Sequence, residues 1–224
     1  MADRYCVIIP ALNAARSIGD VVQQIKRQGL PVVVVDDGSR DQTAAIAAQQ
    51  GALVISHLRN EGKGRALRTG FDYAIRSQYD GVVTLDSDGQ HDPQEILRLI
   101  REGETQHAGM VIGNRMLTGV SMPRARHWTN VMMSRFISVL SRQRIPDSQC
   151  GFRVIRKEVL ISVPLRARRY DLETELVLGA AHRRWKIISV PIRTIYPTHH
   201  VSHIQPVPDT FRFFFLVLRH LCHL

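Results

Sequence analysis

Two periods alternate along the first half of the chain. Short apolar runs rich in β-branched residues predict buried strands at 5–10, 32–35, 53–55, 81–85 and 110–113. Between them, apolar positions recur every three or four residues, which predicts helices. The first spans 14–28, with Ile18, Val21, Val22 and Ile25 on one face; the second spans 42–50, capped by Asp41 or Ser39 and closed by Gly51. A third spans 66–76, with Leu67, Phe71 and Ile75 inward. A fourth opens on Asp92 as N-cap with Pro93 at the first helical position and runs to about Gly103. Strand and helix in strict alternation predict an α/β fold with a mostly parallel sheet covered on both faces. Three predicted strands end at Pro10, at Asp36-Asp37 and at Asp86–Asp88. Parallel strands bring such ends to one edge, where open α/β sheets bind ligands, so a nucleotide-sized cleft is expected there.

Beyond Arg115 the pattern loosens. A helix is predicted over 128–140, with Val131, Met132, Phe136, Val139 and Leu140 as its apolar positions. A loop from Pro146 to Arg153 leads into a strand at Val154-Ile155, followed by a helix over 171–181 and a strand over 186–190. Glu173 and Glu175 stand two apart on that helix and face different ways, so one of them reaches the cleft. The tail 209–224 contains Phe211-Arg212-Phe213-Phe214-Phe215-Leu216-Val217-Leu218. It is too short to cross a bilayer and suits a membrane surface, a place on the core, or an oligomer contact.

Composition adds two constraints. The 224 residues are 44% hydrophobic, enough for one full α/β domain, with no apolar run of membrane-spanning length and no secretory leader pattern. Cys6, Cys150 and Cys222 lack metal-type spacing, which suits buried, inert thiols in a reducing compartment. The charge is divided unevenly. Residues 1–114 carry 12 Lys and Arg against 14 Asp and Glu; residues 115–224 carry 18 against 6. The net values are −2 and +12, so the second half presents a basic surface to phosphates or anionic membranes. A nucleic-acid partner is not expected, because aromatics are not interleaved with the arginines and the acidic motifs would go unused.

The candidate chemistry centres on Asp86-Ser87-Asp88-Gly89-Gln90, at a strand end. Two carboxylates one residue apart repel unless a cation lies between them or they share a proton. Oxygen ligands of this type suit Mg2+ or Mn2+, and Gln90 offers a third oxygen. An ordinary acidic turn is the competing reading. The loop Asn60-Glu61-Gly62-Lys63-Gly64 resembles a phosphate approach but has neither P-loop nor dinucleotide-fingerprint spacing. His199, His200 and His203 lack the spacing of a zinc site.

Taken in order, the motifs resemble those of family 2 glycosyltransferases with the GT-A fold, in the branch of dolichyl-phosphate mannose synthase and polyprenyl-phosphate glycosyltransferases. The resemblance runs from Val7 to about Phe211. It rests on Ile8-Ile9-Pro10-Ala11-Leu12-Asn13, Val35-Asp36-Asp37-Gly38-Ser39-Arg40-Asp41, Asn60–Gly64 and Asp86–Pro93. Gly113-Asn114-Arg115, Asp147–Arg153 and Ser202-His203-Ile204 complete the series.

The resemblance implies a metal-dependent, inverting transfer from a nucleotide diphosphate sugar to a polyprenyl phosphate or other lipid-linked acceptor. It implies Asp86, Asp88 and Gln90 as ligands of Mg2+ or Mn2+, with Asp88 also counted as catalytic. Pro10, Leu12, Asn13, Asp36, Asp37, Lys63, Ser87, Arg115, Arg193 and His203 are expected around the donor. Arg115, Arg126 and Arg153 are candidates to grip an acceptor phosphate. Asp147 is the candidate base should the acceptor be a hydroxyl. Residues 1–208 form the glycosyltransferase domain, divided at 115 into nucleotide-sugar and acceptor halves, with 209–224 as an amphipathic tail. A cytoplasmic protein, peripheral at the membrane through its basic half and tail, is expected. An inactive scaffold of the same fold is the alternative.

Three departures stand out. His203 occupies a position where relatives often carry Lys, and imidazole titrates near neutrality. Many members continue into membrane helices, whereas this chain stops at Leu224. Arg184-Trp185 resembles part of a motif of processive synthases, but Ala181 stands in place of its glutamine, so the pair reads as a helix-to-strand turn.

Overall fold

A computed structural model describes residues 4–116, 124–167 and 171–195. Its seven strands are β1 (Tyr5–Ala11), β2 (Val32–Asp36), β3 (Leu53–Ser56), β4 (Gly81–Thr84), β5 (Met110–Asn114), β6 (Arg153–Arg156) and β7 (Ile187–Pro191). They form one sheet in the order β3-β2-β1-β4-β6-β5-β7. The first four run parallel, as their alternation with helices requires. β6 is antiparallel to both of its neighbours, placing Arg153 opposite Thr84 and Ile112. Every residue of β1 and β2 is buried, which explains their unbroken apolar runs: both faces of the sheet are covered.

The helices are α1 (Ile18–Lys26), α2 (Thr43–Gln49), α3 (Lys63–Arg76), α4 (Ile96–Thr105), α5 (Arg124–Ser141), α6 (Lys157–Ser162) and α7 (Asp171–His182). In α1 the buried side chains are the predicted Ile18, Val21, Val22 and Ile25. Asp41, one of the two expected caps, accepts a bond from the Thr43 amide ahead of α2, while Ser39 accepts one from the Asn13 amide. Asp92 accepts from the Gln94 amide and starts a 3-10 turn that leads into α4. Helix α3 begins three residues before the apolar pattern, because Gly62 makes the turn and Lys63 already lies in the helix. The six-residue α6 is too short for a periodic signal and was not expected.

Helix α5 forms where expected, with Met133, Phe136 and Leu140 packed against the core, but polar residues share its buried face. Asn130, Ser134 and Ser141 are buried with Ile137, whereas Trp128, Met132 and Val139 are exposed. The inward polar groups are used: Ser134 Oγ accepts from the Ser148 amide at 2.9 Å, and Ser138 Oγ accepts from the Ile145 amide at 3.0 Å. The helix is therefore pinned by hydrogen bonds to the loop that follows it. Arg184-Trp185 lies in the turn between α7 and β7, as read from the sequence.

Cys6 and Cys150 are buried and unpaired, and burial pushes each thiol up to about 12. His203, the tail 209–224 and the side chain of Arg126 lie outside the described residues.

Candidate active site

The strand order sets the site. β1 lies between β2 and β4, so the ends carrying Asp36-Asp37 and Asp86–Asp88 flank the end of β1 at Pro10 and Ala11. The predicted common edge exists, and β3 extends it to His57.

On the β3 side the edge opens into a cleft of about 520 Å3. Leu12, Asn13, Asp36, Arg40, His57 and Asn60 are among the residues lining it, and the volume suits a small organic ligand. Asn13 holds two loops together: its amide donates to Ser39 Oγ and its Oδ1 accepts from the Arg40 amide. Gly38 sits at φ +75 with the backbone of Arg59 and Asn60 against it, and a Cβ there would stand 2.6 Å from the Arg59 carbonyl carbon. Only glycine lets these two cleft walls meet.

The two aspartates of this edge have different surroundings. Asp36 lines the cleft. Asp37 is buried beneath it and organises the next loop, accepting from the amides of Glu61 at 3.0 Å and Gly62 at 2.8 Å. His57 Nδ1 lies 2.7 Å from Asp37 Oδ1; a carboxylate only accepts, so Nδ1 carries the proton. The other ring nitrogen, Nε2, is 3.0 Å from Thr69 Oγ1. His57 went unnoticed in the sequence because a single His after a strand carries no signal until that strand's end joins the edge.

Asp86 is the electrostatic centre. Lys63 Nζ lies 2.7 Å from its Oδ1 and 3.2 Å from Glu173 Oε2. His91 Nε2 lies 3.6 Å from Oδ2, with its ring packed on Phe152 at 5.5 Å. Burial opposes charge at Asp86, but Lys63 and His91 outweigh it and hold the carboxyl well below the usual carboxylate range. Burial likewise opposes charge at Lys63, while Asp86 and Glu173 hold its ammonium above the usual lysine range. Of the two α7 glutamates, Glu173 reaches Lys63, while Glu175 accepts from the amides of Arg166 and Ala167. His91 was passed over in the sequence, where it reads as part of a turn.

Gly151 lies against the Asp86 carboxylate, and a Cβ there would stand 2.5 Å from Oδ2. Asp88 is exposed, and its Oδ1 accepts from the Gln90 amide at 3.0 Å. Gln90 is buried beside it. Ser87 accepts a bond from Ser17 Oγ through its carbonyl, which ties the motif to the start of α1. No group of three His, Cys, Asp or Glu side chains is placed to hold a metal among the described residues. The donor set still fits a hard divalent ion. Asp86, Asp88 and Gln90 provide oxygens, and Mg2+ or Mn2+ commonly takes only one or two carboxylates and draws the rest from phosphates and water.

The residues expected on the acceptor side are engaged within the protein. Arg153, expected at a phosphate, is 1% exposed and acts as an internal clamp. Its Nε, Nη1 and Nη2 donate at 2.8 Å to the carbonyls of Cys150, Glu173 and Ser148. Arg115 forms a two-pronged pair with the fully buried Asp147, at 2.8 and 2.9 Å, and its amide donates to the same carboxylate. Both Asp147 oxygens are thereby occupied, which leaves it badly placed to take a proton. Arg193 is exposed and follows β7. It adjoins Thr194, which bridges to His91, and the Ile195 amide donates to the Gln90 carbonyl at 2.8 Å. The two residues that follow Arg193 thus pair with the acidic motif through their backbone.

A seven-stranded α/β sheet with a cleft at its carboxyl edge and an acidic motif beside it defines a nucleotide-binding class of fold. A model of glycosyl transferase family 2 matches residues 6–163, and the chain belongs to that family. It is therefore a glycosyltransferase with the GT-A fold. It is 30% identical over 242 residues to the UDP-N-acetylglucosamine–dolichyl-phosphate N-acetylglucosaminyltransferase of Methanococcus voltae, covering 97% of this chain and 96% of that one. It is also 30% identical over 204 residues to the polyprenol monophosphomannose synthase of Mycolicibacterium smegmatis, covering 84% and 76%. Among solved structures, glucosyl-3-phosphoglycerate synthase from Mycobacterium tuberculosis in complex with Mg2+ and UDP shares the fold. The TM-score is 0.74 at 20% identity, over 97% of this chain and 79% of that one.

Proposed function

We propose that the chain transfers a sugar, with inversion, from a nucleotide diphosphate sugar to a polyprenyl phosphate, with Mg2+ or Mn2+ held by Asp86, Asp88 and Gln90. The observation that carries this reading is the placement of the Asp86 carboxylate, kept ionised by Lys63, just past β4, whose neighbour β1 borders the open cleft at the ends of β1, β2 and β3. The relatives named for dolichyl-phosphate and polyprenol acceptors support the acceptor class.

In this reading Asp36, Leu12 and Asn13 receive the nucleoside, and the loop fixed by Asp37 closes its ribose side. Lys63 faces the diphosphate, where its ammonium stabilises charge growing on the leaving group. Arg193 approaches the same group from the β7 side. The divalent ion would supply Lewis acidity at the diphosphate and template its orientation. Arg153 positions the loop 148–151 and, through Gly151, the wall behind Asp86. Arg115 and Asp147 stiffen the acceptor side as a pair. A lipid phosphate, with a second pKa of about 6, is already anionic at pH 7 and attacks without a protein base. The occupied state of Asp147 supports that route over a hydroxyl acceptor.

The test is a panel of nucleotide sugars assayed with polyprenyl phosphate, with and without Mn2+. Transfer is expected with one donor class and is expected to vanish in excess chelator. Asp88→Ala is expected to abolish transfer with stability unchanged to within about 0.5 kcal/mol, because Asp88 is exposed. Full transfer in chelator, or by the variant, overturns the metal role. Absence of transfer with every donor favours the scaffold alternative.

A further inference from the structure

Three buried side-chain atoms lack a hydrogen-bond partner among the described residues: His91 Nδ1, Thr194 Oγ1 and Ser189 Oγ. Two of them belong to one pair. His91 and Thr194 face each other across an isolated antiparallel bridge, and the Ile195 amide beside it donates to the Gln90 carbonyl at 2.8 Å. Buried polar atoms of native proteins are paired as a rule, so two orphans on facing positions require a physical reason.

The two atoms are chemically complementary. His91 Nε2 faces Asp86 Oδ2 at 3.6 Å. A carboxylate only accepts, so the proton of the neutral ring belongs on Nε2, and Nδ1 is left as an acceptor. A threonine hydroxyl has one O–H to donate. Directly opposed residues of an antiparallel pair have Cβ atoms about 5 Å apart, and rotation about χ1 carries the hydroxyl from one staggered position to another. The same sheet edge already holds this series in completed form: Thr69 Oγ1 lies 3.0 Å from His57 Nε2, and His57 Nδ1 lies 2.7 Å from Asp37.

We propose that Thr194 and His91 are positioning residues for Asp86: the Thr194 hydroxyl donates to His91 Nδ1, and the Nε2–H of the same ring donates to Asp86 Oδ2. The inference deepens the reading of Asp86 as a ligand of the divalent ion and rests on that reading for its purpose. The His91 ring is 2% exposed and packs on Phe152, with ring centroids 5.5 Å apart. Gly151 lies against the carboxylate, and Lys63 holds its other oxygen at 2.7 Å. A donor at Oδ2 removes the remaining freedom, rotation of the carboxylate about its bond to Cβ. A bond accepted at Nδ1 polarises the ring and strengthens the donor at Nε2, so the two bonds support each other. Partners of this kind behind a metal-binding side chain set its orientation and the affinity for the ion.

Nitrogen NMR on the full chain tests the two bonds without metal or donor. With 15N-labelled histidine in weakly alkaline solution, the signals lost in His91→Gln belong to His91. They are expected to show a neutral ring protonated at Nε2, and Thr194→Val is expected to move the Nδ1 signal toward that of an acceptor without a hydrogen bond. A proton on Nδ1, or an Nδ1 signal that Thr194→Val leaves in place, overturns the inference.

Calorimetric titration with Mn2+ alone tests the purpose. His91→Phe is expected to weaken binding by about tenfold or more, and His91→Gln, whose amide reaches as far as Nε2–H, to restore it to within about threefold of the native chain. His91→Asn is too short to reach Asp86 and is expected to match His91→Phe. Loss of packing alone would lower the thermal transitions without producing this order of affinities. Thr194→Val is expected to weaken binding by about threefold in the native chain and to add nothing to His91→Phe, because its effect passes through the ring. His91→Gln no better than His91→Asn overturns the inference, and so do effects of Thr194→Val and His91→Phe that add. The contrast between the Gln and Asn variants carries the test should His91→Phe not fold. Expected nitrogen signals in a chain that binds no Mn2+ remove the metal reading and leave the positioning of Asp86 standing.

Discussion

One lysine bridges two acids at the carboxyl edge of the sheet. Lys63 stands between Asp86 and Glu173 at ion-pair distance, in the position where a cation is needed to offset neighbouring carboxylates. Removing that ammonium leaves two acids facing each other in a partly dry pocket. Lys63→Met is expected to lower stability by about 1–2 kcal/mol, a figure reduced for the partial exposure of the pair, as measured by urea unfolding. The same variant is expected to bind Mn2+ more tightly than the native chain when nucleotide is absent, because Asp86 has lost its internal counterion; titration calorimetry reads this directly. Equal Mn2+ affinity in the two proteins would place the ion away from Asp86. Asp86 and Lys63 were both singled out from local motifs. Their pairing, and the choice of Glu173 over Glu175, were not readable there, because nothing local encodes a contact across 110 residues.

Among the elements, α5 shows most clearly what periodicity can miss. Its apolar positions predict a helix, and a helix forms. Periodicity assumes that apolar residues mark the inner face, and here hydrogen bonds to the following loop help decide the facing. Ser134 is buried and accepts from the Ser148 amide, so Ser134→Ala leaves that donor without its partner. The expected cost is about 1–3 kcal/mol by denaturant unfolding. Transfer should fall as well, since the loop beyond Ser148 carries Gly151 to Asp86. A variant with native stability would show that α5 is held by Ile137 and by Met133, Phe136 and Leu140 packed against the core. β6 gives a second example. Its length and composition suit a strand, but its antiparallel pairing between β4 and β5 depends on where the chain returns through α5.

For the molecule as a whole, the two halves divide the work by charge. The N-terminal half, near neutral overall, supplies the parallel strands β1–β4 and the acidic motif, while the basic half supplies β6, β7 and the helices α5–α7. One core joins them, and both described thiols lie inside it. Their protonation therefore reports on global folding. Cys6 and Cys150 have folded values raised from 9.0 to about 12 by burial. Below about pH 9 both states keep the protons and the full stability is present. Above it the unfolded chain releases protons that the native core retains, so stability falls as pH rises from 9 toward 12, by about 1.4 kcal/mol per pH unit for each thiol. Urea unfolding across that range should show the decline, and Cys6→Ala with Cys150→Ala should flatten it. An unchanged slope in the double variant would assign the decline to other groups.

The sequence by itself determined the alternation of strands and helices, the edge where three strand ends meet, and the acidic motif at that edge. Each of these depends on short-range facts: side-chain period, turn residues and caps act within a few positions of one another. Tertiary structure alone decided how the charged groups are shared. It gave Asp37 to the loop at Glu61 and Gly62, Arg115 to Asp147, and Arg153 to three carbonyls, leaving Asp86 with Lys63. A buried charge must find partners wherever the packed chain presents them, at any sequence distance. For that reason the sequence marked charged residues that the fold gathers along one sheet edge but could not say which of them pair with one another.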